Sequence, residues 1–96
     1  MPKVTIPGQQ DERKTDPIFE WDMGDVSYTS SKIVVGKRRG SDNIYPGREL
    51  PYGTTKDDRV YHPRDGRTYY ARVRYRKTTR GPWCTDDSEI RRFVSV

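Results

Sequence analysis

The chain reads as an all-β protein, an antiparallel β-sandwich of six to seven short strands, and three observations say so. Within the stretch from Asp65 to Trp83, DGRTYYARVRYRKTTRGPW, the chain alternates: Tyr69, Ala71, Val73 and Tyr75 fall on one side of an extended backbone, and Tyr70, Arg72, Arg74 and Arg76 on the other. A period of two in aromatic and β-branched residues marks a half-buried strand, whereas a helix would scatter those arginines around its circumference. Turn signals bound the run, Asp65-Gly66 before it and Gly81-Pro82 after it. Elsewhere the sequence offers more short alternating runs between turns and no helical period longer than a turn.

Taken in order, Lys3 to Ile6 is a short strand with Val4 and Ile6 on one face, closed by Pro7-Gly8. The polar run QQDERKTDP has no period and reads as a loop. Residues 18–23, IFEWDM, place Phe19, Trp21 and Met23 inward with Glu20 and Asp22 outward, and Met23-Gly24-Asp25 turns the chain. Ser27 to Lys37 is a third strand, with Ile33 and Val35 facing one way, Lys32 and Val34 the other, and Gly36 ending or bulging it. KRRGSDN is a basic turn, followed by an apolar landing at Ile44-Tyr45. Residues 48–58 carry at most a short edge strand, with Asp57-Asp58 as a turn, and Arg59 to His62 form another short strand stopped by Pro63. After the central strand come the Gly81-Pro82 turn, Trp83, the acidic loop TDDSE and a last strand from Ile90 to Val96. The apolar residues of that last strand fit no single alternation, which predicts a bulge. This pattern predicts immunoglobulin-like topology over residues 17–96, with residues 1–16 as a flexible N-terminal arm or a first strand.

Composition bounds the rest. Ninety-six residues make one domain, at a size where a single core is just adequate. With only 30% hydrophobic residues, that core must rest on large rings. Phe19, Trp21, Ile33, Val35, Tyr69, Val73 and Tyr75 are the side chains expected to form it. A net charge of +5 favours an anionic partner, yet 14 acidic residues against 19 basic ones are unlike a histone-type polycation. A single cysteine, Cys84, rules out an internal disulfide. No apolar run approaches the length of a membrane span, and the N-terminal residues contain no hydrophobic signal region, so the expected place of synthesis is a cytoplasm.

The run from Asp65 to Arg74, followed by Gly81-Pro82-Trp83, resembles the last two strands of fibronectin type III domains. Phe19-Glu20-Trp21 matches their early strand with a core tryptophan, although His62-Pro63 stands where a leucine would precede the tyrosine turn. Val35-Gly36 with Gly40 to Tyr45 is similar to a connection in related sandwich modules of bacterial surface proteins and phage virion proteins. The resemblance implies that Tyr69 is a corner tyrosine whose hydroxyl bonds a nearby backbone group, a role in holding the fold. The fold itself hosts many binding tasks and does not name one.

No constellation for catalysis or metal binding emerges, so neither an enzyme nor a cofactor is expected. His62 has no second histidine to share a metal, Cys84 precedes an acidic run that disfavours its thiolate, and Asp86, Asp87 and Glu89 lack the spacing of a calcium loop. The sharper feature is a basic sheet face of Lys32, Arg72, Arg74 and Arg76, joined by Arg91 or Arg92 and extended by Lys37, Arg38 and Arg39. Alternate side chains on a strand stand about 7 Å apart, close to phosphate spacing along a nucleic acid strand. The plainer reading is a solvated face whose arginines pair with Glu20, Asp22 or other nearby acids. Tyr45, Tyr52, Tyr70 and Trp83 are the candidate ligand-contact aromatics.

Three functions fit these residues. The first is an accessory protein decorating a phage capsid or tail, localised in the virion, contacting shell or tail protein without a cofactor, with the N-terminal segment from Met1 to Asp16 as its attachment arm and oligomers allowed. The second is a module binding a host-surface glycan through exposed aromatics. A nucleic-acid-binding protein using the basic face ranks third, because the core claims most of the aromatics that would stack on bases.

Overall fold

The computed structural model describes residues 1–9, 18–85 and 87–95. Seven strands form: β1 (Lys3–Gln9), β2 (Ile18–Asp22), β3 (Ser30–Gly36), β4 (Leu50–Pro51), β5 (Lys56–Asp57), β6 (Thr68–Arg76) and β7 (Arg91–Val94). They make two antiparallel sheets, one in the order β1-β2-β5 and the other β4-β3-β6-β7, with no helix among the described residues. The central strand of the sequence is thus central in space: β6 pairs with β3 in unbroken register from Ser30↔Arg76 to Gly36↔Tyr70, and with β7 on its other side.

The alternation of β6 decides what lies between the sheets. Tyr69, Ala71, Val73 and Tyr75 point inward and meet Ile33 and Val35 of β3, Phe93 of β7, and Val4, Phe19 and Trp21 from the opposite sheet. All seven side chains expected in the core are buried there. The indole of Trp21 donates to the Ser31 hydroxyl at 3.1 Å, so the one polar atom of the largest core ring is satisfied across the two sheets.

Several expectations are corrected. Pro7-Gly8 does not end β1; the strand runs on to Gln9 and absorbs the irregularity as register shifts on either side of Ile6. Of the residues read as a flexible arm or a first strand, 3–9 pair with β2 and Pro2 is fully buried, while residues 10–16 lie outside the described residues. The third strand begins at Ser30, not Ser27. Arg59 to His62 joins no ladder, although Val60 and His62 are buried; the strand of that region is Lys56–Asp57, one step earlier. The last strand has no bulge, since β7 pairs with β6 without a register shift and Val94 simply faces solvent.

Asp57 is likewise no turn residue. It is fully buried opposite Phe19 and accepts bonds from the Tyr45 hydroxyl, the Arg48 guanidinium and the Arg59 N–H, each at 2.9 Å. Three donors on one carboxylate offset its desolvation. The network ties the loop beyond β3 to the opposite sheet, and burial together with the bond to Asp57 pushes the Tyr45 phenol up to about 12.

His62 is buried against the aromatic core. Its ring packs edge-on against Phe19 and Phe93, at centroid distances of 5.8 and 5.3 Å. The Ser95 hydroxyl donates to the Pro63 carbonyl, so the Nδ1–H of His62 donates to Ser95 and Nε2 is left bare and buried. Tyr69, in turn, sends its hydroxyl to the Asp65 carboxylate at 2.7 Å, a side chain and not the backbone group expected of a corner tyrosine.

Two outcomes follow from these buried groups. Asp57→Ala, which strands the Tyr45 hydroxyl and Arg48, should cost about 2–3 kcal/mol in chemical denaturation. Burial lowers the His62 pKa below its ordinary 6.5, so its contribution to stability is intact above that value and is lost as pH falls through the folded-state pKa. Denaturation midpoints should drop between neutral pH and about pH 5, ahead of carboxylate titration, and His62→Leu should flatten that limb.

Candidate interaction face and edge cleft

The outward side of the β4-β3-β6-β7 sheet carries Lys32 and Val34 from β3 and Tyr70, Arg72, Arg74 and Arg76 from β6, because those positions alternate with the core residues. Cross-strand register sets Lys32 beside Arg74 and Val34 beside Arg72, and Arg92 of β7, not Arg91, lies beside Tyr70. The basic row of the sequence is real, but two loops cover much of it. Gly36 makes the first cover possible: a Cβ there would collide with the backbone of Ser41, so only glycine lets the 37–45 loop fold back onto the sheet. Underneath, Val34 is 1% exposed on a face that alternation alone would give to solvent.

The acids of that cover pair with the arginines. Arg74 meets Asp42 at 2.9 Å, and Arg76 meets Glu49 at 3.2 Å, while Glu49 also accepts from the Ser30 hydroxyl at 2.6 Å. Arg72 donates to the Ser88 carbonyl at 3.0 Å. Glu20 and Asp22, expected as partners, are on the other sheet: Glu20 faces Lys56 at 3.9 Å, and Asp22 caps the turn at Gly24. Trp83 closes the second cover, with the Lys32 ammonium 4.2 Å and the Arg76 guanidinium 4.3 Å from its ring centre. Burial first, and then the neighbouring Arg74 charge, lower the Lys32 pKa from its ordinary value. Five cations, Arg92 included, against two paired carboxylates among the described residues leave this face positive, with only part of its charge compensated within the fold.

The candidate aromatics separate in the same way. Tyr45 is tied to Asp57, Trp83 sits under Lys32 and Arg76, and Tyr70 is half-buried with Arg39 5.9 Å from its ring centre. Tyr52 is the open one, 71% exposed and tilted against Tyr28 at 4.9 Å. Tyr61, not singled out from the sequence, is also exposed. Cys84 packs against the core edge and bridges the backbone of Tyr75. Among the described residues no cluster of three potential metal ligands occurs.

Sequence reasoning missed a second basic feature, a cleft of about 720 Å³ at the side of the molecule. Lys3 of β1, Arg39 of the basic turn and Arg91 at the start of β7 line it, with Val4, Ile90 and one acid, Glu89. These three cations are 36 or more residues apart from one another in the chain, so no local pattern could have grouped them. Lys37 and Arg38 stand exposed next to Arg39.

Searches against protein families, curated proteins and solved structures find no match to the chain. Partial compensation of the basic face is directly testable. Replacing both Asp42 and Glu49 by alanine should cost about 1 kcal/mol of stability in total. It should also move elution from a heparin column to higher salt; unchanged elution would mean that the face is already fully shielded.

Proposed function

We propose that this chain is a non-enzymatic binding module, built as an immunoglobulin-like sandwich of the fibronectin type III kind, that attaches to a larger assembly such as a phage capsid or tail. The strand order supports the fold reading: the first, second and fifth strands share one sheet, and the third, sixth and seventh lie side by side in the other. The observation that carries the functional reading is where the reactive side chains go. His62 is wedged between two phenylalanines, Asp57 is held by three donors, Cys84 packs at the core edge and Asp87 accepts from the Tyr75 hydroxyl at 2.8 Å. Each serves the fold. Among the groups left to solvent are several cations and the exposed Tyr52, residue types that dock partners. A phage particle as the assembly is supported by the resemblance of the Val35 to Tyr45 connection to virion modules.

A second reading, binding of a surface glycan, is favoured by the exposed Tyr52 stacked on Tyr28, whose hydroxyl accepts from the Gly53 N–H at 3.1 Å. Co-sedimentation of the purified protein with particles of its source, at low and high salt, tests the proposal. Pelleting with the particles at both salts is the expected result. Retention by nucleic acid that is released as salt rises would replace the proposal with a nucleic-acid-binding role, and salt-insensitive binding to glycan in place of particles would replace it with the second reading.

A further inference from the structure

We infer that the cleft between β1 and β7 is a binding site for an acidic, extended segment of a partner protein. The inference rests on the binding-module reading and names the site and the partner chemistry. Lys3, Arg39 and Arg91 reach the cleft from three separate elements, and none of them has a carboxylate partner among the described residues. The contrast with the sheet face is the point: Arg74 and Arg76 are paired inside the fold, whereas the cleft cations converge on a concavity with one acid, Glu89, among them. Three like charges held together with a single acid among them still repel one another, and a bound anion relieves that repulsion.

The lining selects among anions. Ile90 supplies aliphatic surface, and no aromatic ring lines the cleft. Bases and sugars dock chiefly by stacking on rings, so a nucleic acid strand or a glycan would find charge here but no platform. A peptide alternating carboxylate and aliphatic side chains matches both parts of the lining. The backbone favours a peptide as well. β1 is an edge strand of its sheet, and the Arg91 guanidinium reaches the Val4 carbonyl at 3.4 Å. That contact places the outer main-chain edge of β1 on the cleft side; Arg91 takes up the Val4 carbonyl and the Glu89 N–H the Pro2 carbonyl, so an extended chain would lie along the strand beyond them.

The test uses the whole protein, a short fluorescein-labelled peptide of alternating glutamate and leucine, and an oligothymidylate of equal charge as comparison. Fluorescence anisotropy should show saturable peptide binding that is tighter than binding of the oligonucleotide. The double variant Lys3→Ala/Arg39→Ala should weaken peptide binding about tenfold or more. Both side chains are exposed and hold no hydrogen bond among the described residues, so the variant should keep its unfolding midpoint. Lys32→Ala, on the sheet face, should leave peptide affinity unchanged. The inference is overturned if wild type does not bind the peptide, if the double variant binds it as well as wild type, if Lys32→Ala weakens it equally, or if the oligonucleotide binds as tightly. The double variant in the co-sedimentation assay separates the two proposals. Failure of wild type to pellet removes the binding-module reading, while undiminished pelleting of the variant removes the cleft as the dock and leaves that reading standing.

Discussion

The seven-pair register between β3 and β6 is the constraint on which the rest of the structure depends. Because side chains alternate, fixing that register assigns every residue of both strands to one face, and a slip by one would exchange the tyrosines and valines of the core with the arginines. One face of the sheet is then closed by the opposite sheet. The other would be an open row of cations, yet it too is covered, by the 37–49 loop and by Trp83 with the segment after it. A chain with 30% hydrophobic residues gains buried area this way without more apolar side chains: the Lys32 ammonium and Arg76 guanidinium lie over the Trp83 ring, Arg74 and Arg76 reach Asp42 and Glu49, and Val34 is buried on the same face.

This division explains what the sequence made legible. β2 and β6 announce themselves because their alternation is local, and their inward residues could be named from spacing alone. Asp57 could not be read, because a buried carboxylate looks like a turn residue until Tyr45, Arg48 and the Arg59 N–H are known to converge on it. β4 and β5 are two residues long and exist only through their partners on β3 and β2. The arginine row was visible, but its covering acids come from loops whose path depends on the close approach at Gly36 and on the turn at Gly47, where φ is +95°. The cleft lay beyond sequence reasoning for the same reason, being assembled from both edges of the fold and a turn.

The two sets of cations also differ in what water and salt do to them. A half-buried pair such as Arg74–Asp42, with the guanidinium side chain 23% exposed, is held by geometry and is weakly screened. Their bonds fasten loops onto the sheet, and that work consumes the charge locally. Lys3, Arg39 and Arg91 are solvent-exposed, so their field extends into solution and fades with ionic strength. Charge that is spent on folding cannot also be spent on a partner, and net charge alone does not separate the two uses.

Edge strands sharpen the same point. A sheet edge invites pairing with another chain, and the two-residue strands β4 and β5 present little backbone to pair with. β1 and β7 are the longer edges, and both carry cations at the side where they come together: Lys3 on one, Arg91 on the other. Two copies of this chain approaching by those edges would set lysine and arginine against lysine and arginine, which opposes self-pairing. An acidic strand meets no such opposition. The charges that keep like copies apart therefore favour one class of partner, and a single placement of residues at the open edges accounts for both effects.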